Sequence, residues 1–218
     1  MLVIDYISKD FIPPKLNQTV KHGGKLINAY NLTHIPVFEG LNFVGFLSKE
    51  TIEENEEEEK LAELNDFLEY FYVTENSSLL DAIQNFHQNN SNVLVVLNAE
   101  KQFVGMLMLE DVISAISTMP FISEPGAIMV VEVSLRQFSI SEVSKIAESN
   151  NARIMGLFVT AYQDDKVQIA LKLIAENLAS VGETFERFNY RVVYKFFNDE
   201  KEDLMRDRFD MLMKFLDI

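Results

Sequence analysis

An internal repeat is the feature of this sequence that most constrains how the chain can fold. The segments 34–52 and 94–112 align without a gap at a constant offset. The tripeptide Phe-Val-Gly occupies 43–45 in the first segment and 103–105 in the second. A repeat of this length indicates one supersecondary unit that is used twice. We therefore expect two copies of the same unit in the first part of the 218-residue chain.

Each copy is predicted to contain a helix, two short strands joined by a turn, and a closing helix. In the second copy, apolar side chains recur at helical spacing at Leu79, Leu80, Ile83 and Phe86. A serine is a good N-cap for the closing helix of the first copy. The predicted strands cover 35–38 and 43–47 in the first copy and 94–97 and 103–108 in the second, and the closing helices start near Ser48 and Leu109.

This order of elements resembles the CBS domain family. The resemblance is carried by the strand IPVF (35–38), the strand–helix joins VGFLSKET (44–51) and VGMLMLED (104–111), and the helix openings at 18–24 and 77–83. It implies a tandem CBS pair over residues 1–122, with repeats at about 1–60 and 67–122 that pack face to face into one module.

After Pro125 and Gly126 the pattern changes. Over 126–198, strand-like and helix-like segments follow the order β-α-β-β-α-β, the ferredoxin-like unit. This order resembles an ACT domain, so the expected fold class is mixed α/β (α+β), a CBS pair followed by an ACT-like domain. The combination is similar to bacterial proteins of the acetoin-utilisation type. Residues 199–218 are predicted to form an amphipathic helix that packs on its own domain, with an apolar stripe at Met205, Phe209, Leu212 and Leu216.

The resemblance also indicates where a ligand would bind. Nucleotide-binding CBS repeats use Ser or Thr at the strand–helix join and Asp three residues later. One carboxylate can accept hydrogen bonds from both ribose hydroxyls, and the helix N-terminus favours phosphate. The first repeat has a serine but replaces the aspartate, whereas the second keeps the aspartate but replaces the serine. The candidate ligand-binding residues are Asp111, Met108, Val73, Thr74, Val95 and Val96 for the second cleft, with Ser48, Thr51 and Pro36 in the first repeat.

Two interpretations of these residues stay open at this point. An aspartate in a first helical turn often serves only the helix dipole and the cap, so Asp111 is either a ribose ligand or a capping residue. For Ser48 the capping role is favoured over ligand binding. If one cleft binds a ligand, we expect it to be the second.

Charge and composition exclude several classes of function. The formal net charge is −15 without any run of Lys and Arg, so nucleic acid and anionic membrane surfaces are not expected as partners. The chain has no cysteine, and its three histidines are not spaced as metal ligands. No signal peptide and no transmembrane stretch are recognisable, so a cytoplasmic location is expected. No catalytic motif is found, so the protein is expected not to be an enzyme and to hold no metal.

Three functions remain open from the sequence. The first is a regulatory sensor whose CBS pair binds an adenosine-containing ligand (AMP, ADP, ATP or S-adenosylmethionine) and signals through the ACT-like domain. The second is an interaction or assembly protein with degenerate clefts, no small-molecule ligand and an unknown protein partner. The third, an amino-acid sensor of the ACT type, is disfavoured because 134–139 lacks the usual glycine and proline. A homodimer is expected for each, since sheet edges would otherwise be exposed.

Overall fold

The computed structural model describes residues 1–9 and 11–196 of the chain. The chain divides into two compact units, Met1–Thr118 and a second unit from Met119 onward. Helices and strands alternate in both, which confirms the mixed α/β fold class. Residues 119–122, which we assigned to the CBS pair, lie in the second unit. The helix predicted for 199–218 lies outside the described residues.

The first repeat has the predicted order of elements. The side-chain oxygen of Thr19 caps the first helix by accepting from the His22 N–H, and Asn31 ends that helix in the left-handed conformation. Ser48 caps the closing helix, as predicted. The elements are α1 (Val20–Tyr30), β1 (His34–Glu39), β2 (Asn42–Ser48) and α2 (Lys49–Glu54).

The second repeat has the same order, preceded by a short strand. Its first helix starts with a capping box in which Ser78 and Asp81 satisfy each other's backbone N–H groups. A 3-10 helix, Leu61–Phe67, connects the repeats, and another, Val3–Tyr6, lies near the start of the chain. The elements are β3 (Val73–Thr74), α3 (Leu79–Gln88), β4 (Val93–Leu97), β5 (Phe103–Met108) and α4 (Leu109–Ser117).

The strand register corrects the ungapped alignment of the two repeats. Val37 lies opposite Gly45 in the first hairpin, and Val96 lies opposite Gly105 in the second. The offset between β1 and β4 is therefore one residue smaller than the offset between β2 and β5. The ungapped alignment was wrong by one residue where it matched β1 with β4. The extra residue lies in the turn of the second hairpin, because exposed turns accept insertions far more easily than buried strands. Both hairpins carry a bulge at the equivalent point.

Residues 1–9 precede the first repeat and residues 66–72 precede the second; we call these two stretches the lead segments. Each lead segment pairs with a strand of the other repeat. Ser8, before the first repeat, exchanges two backbone hydrogen bonds with Met106 of β5, at 2.8 and 2.9 Å. Glu69, before the second repeat, exchanges two with Phe46 of β2, also at 2.8 and 2.9 Å. Each lead segment thus extends the sheet of the other repeat, and the two repeats share one continuous hydrophobic core.

This exchange explains the repeated glycines. A Cβ atom at Gly105 would lie 2.8 Å from the backbone oxygen of Ser8, and one at Gly45 would lie 3.1 Å from that of Glu69. Both glycines are buried, so a side chain there would push the lead segment off the sheet. The matched Val-Gly pairs in the sequence therefore mark the two places where a lead segment crosses.

The second unit has the predicted β-α-β-β-α-β order after a short helix. The elements are α5 (Pro120–Ser123), β6 (Ala127–Ser134), α6 (Ile140–Ser149), β7 (Arg153–Gln163), β8 (Lys166–Ile174), α7 (Leu178–Arg187) and β9 (Arg191–Phe196). The antiparallel sheet of this unit has the strand order β7-β8-β6-β9, and α6 and α7 pack on one face through residues such as Val143, Ile146, Val181 and Phe185. This topology confirms the ferredoxin-like prediction.

Candidate functional site

A cavity of about 530 Å³ lies between the first lead segment and α4. The backbone bonds between Ser8 and Met106 fix the lead segment on the edge of β5, so one wall of the cavity is held by the sheet. Cavities of this size accommodate ligands as large as a nucleoside or a drug. We call it the Asp111 cavity, and it is lined by Asp5, Tyr6, Ile7, Ser8, Asp111, Ser114, Ala115 and Thr118.

Asp111 occupies the third position of α4, and its carboxylate is not used to cap the helix. Met108, the N-cap residue, provides no side-chain hydrogen bond. In the described part of the chain, the Asp111 side chain makes no hydrogen bond and no ion pair. Asp81 occupies the equivalent third position of α3 and behaves differently: it accepts from the Ser78 hydroxyl at 2.7 Å and from the Ser78 N–H at 3.1 Å. These hydrogen bonds lower the pKa of Asp81.

The strand–helix join of the first repeat is occupied by its own side chains. The Ser48 hydroxyl accepts from the Thr51 N–H at 3.1 Å, and the two hydroxyl oxygens lie 3.0 Å apart. Both candidate residues of this join are therefore engaged with each other. Neither carries a charge, so the join lacks the carboxylate that a ribose would require.

The other candidate residues lie away from the Asp111 cavity. Val73, Val95 and Val96 belong to the shared core, and Thr74 lies at the surface, where its hydroxyl is 2.9 Å from that of Ser77. Met108 lines a different cavity of about 220 Å³, together with Asn31 and Asn92.

Pro36, on β1, is also buried. It lies opposite Phe46 on β2, and the backbone N–H and carbonyl groups of Phe46 bond to Glu69 instead of to β1. Proline lacks an N–H, but no hydrogen bond between β1 and β2 is lost at this position. The structure therefore does not bring the candidate residues together in one cavity.

Sequence reasoning missed the lead-segment wall, Asp5 to Ser8, and the last turn of α4 with its C-cap, where Ser114, Ala115 and Thr118 line the cavity. The signal was present in Gly105, because a glycine inside a strand indicates that another backbone approaches closely. What the sequence could not show is which segment approaches, since the lead segment is about a hundred residues away along the chain.

The Asp111 cavity is acidic. Two of its lining residues, Asp5 and Asp111, carry carboxylates, and none of the lining residues is lysine or arginine. Tyr6, Ser8 and Ser114 add hydroxyl groups, whereas Ile7 and Ala115 provide apolar surface. A group with an exposed positive charge or with hydroxyl donors is therefore complementary to the lining, and a polyphosphate is not.

His34, the one buried histidine, belongs to an aromatic cluster of the first repeat rather than to a metal site. Its ring packs edge-on against Phe46 and Phe71, with centroids 6.3 and 5.7 Å away. Burial lowers the pKa of His34, although Glu69 opposes this shift. No group of three or more His, Asp or Glu residues within 1–9 and 11–196 is arranged to hold a metal ion. Within the same residues, no helix has the length and apolar character needed to span a membrane.

Comparisons with known proteins bear on the first unit. A family model of the CBS domain matches residues 66–118, and no curated protein matches the chain. Among solved structures, the chain is similar to a CBS domain pair/ACT domain protein from Thermotoga maritima, with 21% identity and a TM-score of 0.47 over 53% of this chain and 96% of that one.

Two further solved structures contain ligands. The first is the CBS domain pair of protein MJ0100 in complex with 5′-methylthioadenosine and S-adenosyl-L-methionine, with 17% identity and a TM-score of 0.46 over 54% of this chain and 96% of that one. The second is the CBS domain of a bacterial CNNM/CorC family Mg²⁺ transporter in complex with ATP, with 18% identity and a TM-score of 0.44 over 53% and 87%. On the family match, residues 66–118 of this chain are a CBS domain.

Proposed function

We propose that this protein is a regulatory sensor and that its two repeats form a CBS pair, which binds an adenosine-containing small molecule in the Asp111 cavity. The observation that carries the proposal is the Asp111 carboxylate. It stands at the strand–helix join of a CBS domain and lines a cavity of nucleoside size. It makes no hydrogen bond within the described residues, whereas Asp81, at the third position of helix α3, is committed to a capping box.

The lining supports a definite mode of binding. The two oxygens of Asp111 accept hydrogen bonds from the ribose 2′ and 3′ hydroxyls. One carboxylate therefore satisfies both hydroxyl donors when the ribose leaves water. Ile7 and Ala115 supply apolar surface for the base. The ligand would connect the first lead segment to α4 and so stabilise the arrangement in which they lie side by side.

The charge of the cavity ranks the candidate ligands. Each phosphate would add negative charge near Asp5 and Asp111, and the first turn of α4 is already acidic through Glu110 and Asp111. We therefore expect S-adenosylmethionine, which carries a positive sulfonium, and neutral 5′-methylthioadenosine to bind more tightly than AMP. ADP and ATP should bind more weakly still.

Regulation requires that the ligand prefer one of two states of the protein. The chain continues directly from α4 into the second unit, which begins at Met119. A ligand that holds α4 against the lead segment therefore acts on the element that connects the sensor to the ferredoxin-like, ACT-like unit. In this proposal that unit transmits the signal.

Thermal unfolding with each ligand tests the proposal. Binding to the native state alone raises the midpoint, by about 2.7 kcal/mol of stabilisation at a hundredfold excess over the dissociation constant. We expect S-adenosylmethionine to give the largest rise and Asp111→Asn to abolish it. The matched control is Glu110→Gln, which removes the neighbouring carboxylate outside the cavity and should keep the rise. An equal rise in wild type and Asp111→Asn would refute the proposed site.

A second candidate function is favoured by a different observation. Ile12 and Leu41 are 83% and 89% exposed beside a cavity of about 690 Å³ that also contains Phe38 and Phe103. Exposed apolar surface of this kind is typical of protein contacts, including the expected homodimer. If no adenosine compound raises the unfolding midpoint, an assembly function through this surface takes precedence, and light scattering of wild type and Leu41→Asp measures it.

A further inference from the structure

The turns of the two CBS-type hairpins line the cavity of about 690 Å³, which the adenosine proposal does not use; we call it the Lys101 cavity. Leu41 belongs to the turn between β1 and β2, and Lys101 belongs to the turn between β4 and β5. The rings of Phe38 and Phe103 also line the cavity and meet edge-on, with centroids 5.1 Å apart. None of its lining residues lines the Asp111 cavity, so the two cavities are separate.

One wall of the Lys101 cavity is the segment before α1, which β1 holds in place. The Phe38 N–H donates to the Pro14 carbonyl oxygen at 3.1 Å, and the Leu16 N–H donates to the Phe38 carbonyl oxygen at 3.0 Å. Ile12 and Lys15, which line the cavity, are part of this segment. The wall is therefore formed before any ligand arrives, as is usual for small-molecule sites.

The turn that contains Lys101 is also held firmly. The Asn98 N–H donates to the Gln102 carbonyl oxygen at 3.0 Å, and the Gln102 N–H donates to the Asn98 side-chain oxygen at 2.8 Å. Lys101 has a φ of +61°, a left-handed conformation that residues other than glycine and asparagine rarely adopt. Unfavourable backbone conformations of this kind cluster at ligand sites. The position of Lys101 is therefore fixed by the turn rather than by chance.

The charge of the lining differs from that of the chain as a whole. Two lysines, Lys15 and Lys101, and one acidic residue, Glu100, line the cavity, although the chain has a formal charge of −15. Neither lysine forms an ion pair with any other residue that the structure describes. The cavity therefore attracts an anion, and the glutamate favours a single negative charge over several.

The rest of the lining is largely apolar. Ile12 and Leu41 are mostly exposed to solvent, and the Phe103 ring is only partly buried. Covering such side chains with an apolar group is favourable in proportion to the area removed from water. We propose that the Lys101 cavity binds an amphipathic carboxylate, a small molecule with one anionic group on an aliphatic or aromatic body. The cavity volume lies in the range of small-molecule sites.

The same features count against two other occupants. A second copy of this chain would bring another molecule of charge −15, and the two would repel each other. A polyphosphate would place several charges beside Glu100 and would leave Leu41 and Phe103 uncovered. An amphipathic carboxylate is complementary both to the lysines and to the apolar residues.

Amide NMR titrations of the full chain test this proposal with three probes that share one alkyl chain. The probes are octanoate, uncharged octan-1-ol and cationic octyltrimethylammonium. We expect octanoate to shift the amides of Leu41, Lys101 and Phe103. It should bind about fivefold more tightly than octan-1-ol, because an exposed ion pair adds a modest attraction. The cationic probe should bind most weakly.

Lys101→Asn tests the role of the charge without disturbing the turn, since asparagine suits the left-handed backbone. This variant should weaken octanoate by about threefold to fivefold and leave the affinity for octan-1-ol unchanged. Lys25→Gln, at an exposed lysine of α1, is the matched control and should bind octanoate as wild type does. Asp111→Asn should also bind octanoate normally, so failure of the adenosine proposal would leave this one standing.

Three results would overturn the proposal. The first is equal affinity of wild type for octanoate and octan-1-ol. The second is a set of octanoate shifts that leaves the amides of Leu41, Lys101 and Phe103 unmoved. The third is a dimer in light scattering that Leu41→Asp dissociates and that octanoate does not affect, which would assign the surface to a second copy.

Discussion

Thr33 and Asn92 stand at equivalent positions before β1 and β4 and hydrogen-bond to each other across the two repeats. The Asn92 side-chain oxygen accepts from the Thr33 N–H at 2.9 Å and from its hydroxyl at 3.0 Å. The Asn92 N–H donates to the Thr33 hydroxyl at 3.0 Å. Because both partners are at least partly buried, their loss leaves polar groups unsatisfied.

We expect Asn92→Ala to lower the free energy of unfolding by about 1–3 kcal/mol in urea titrations. Asn28→Ala, on the exposed side of α1, is the control and should leave stability unchanged within about 0.5 kcal/mol. If both variants were equally stable, the bonds between Thr33 and Asn92 would not hold the repeats together.

The close approach at Gly105 gives a second prediction at the residue scale. A Cβ atom there meets the Ser8 carbonyl oxygen at 2.8 Å, so Gly105→Ala should destabilise the chain by about 1–3 kcal/mol. Gly24 is helical, and a Cβ atom there meets only Ile52, at an ordinary 3.5 Å. Gly24→Ala should therefore stabilise the chain by about 0.5–1 kcal/mol. Urea unfolding of the two variants should show opposite signs, and the same sign would contradict the described path of the lead segment.

Glu132 couples the stability of the second unit to pH. Hydrogen bonds from Lys166, Arg191 and Gln168 lower the pKa of Glu132 from 4.5 to about 2. The pKa of Glu132 in the folded state is lower than its ordinary value in the unfolded chain. The stabilisation that these hydrogen bonds provide is therefore fully present above the ordinary pKa, and it is lost as the pH falls through the pKa of the folded state.

The stability difference between wild type and Glu132→Gln should therefore shrink as the pH is lowered from about 6 towards about 2. Glu183→Gln, at an exposed glutamate of α7, is the control. Chemical unfolding at a series of pH values measures the difference. A difference that stays constant over this range would show that the ion pairs do not stabilise the fold.

At the scale of elements, the exchange of lead segments makes each repeat depend on the other. The amides of Ser8 and Met106 bond to each other's carbonyl groups, as do those of Phe46 and Glu69. In hydrogen exchange we expect these four amides to be protected to the level of the core strands, because opening any of them separates the two repeats. The amide of Glu100, in an exposed turn, should exchange freely. Fast exchange at Ser8 with slow exchange at Met106 would contradict the exchange of lead segments.

The elements themselves could be predicted from the sequence, but the contacts between segments far apart along the chain could not. Local periodicity and caps were sufficient for α3 and β4 and for the ferredoxin-like order, since these depend on neighbouring residues. The one-residue error over β1 arose because a turn changed length between the repeats. The crossing of the lead segments and the Asp5 wall depend on contacts between residues far apart in sequence. Of the candidate ligand residues, only Asp111 lines the cavity that we propose as the site.

At the scale of the whole molecule, the two repeats share their geometry but not their chemistry. In the first repeat the Ser48 and Thr51 hydroxyls pair with each other, whereas in the second Asp111 lines an acidic cavity. The proposed sensor is therefore asymmetric, with one adenosine site in each chain.

The number of ligands bound per chain tests this claim most directly. Isothermal titration of the full chain with S-adenosylmethionine should give one ligand per chain. Thr51→Ala should keep that value, and Asp111→Asn should abolish binding. Two ligands per chain, or one ligand that persists in Asp111→Asn and is lost in Thr51→Ala, would contradict the account.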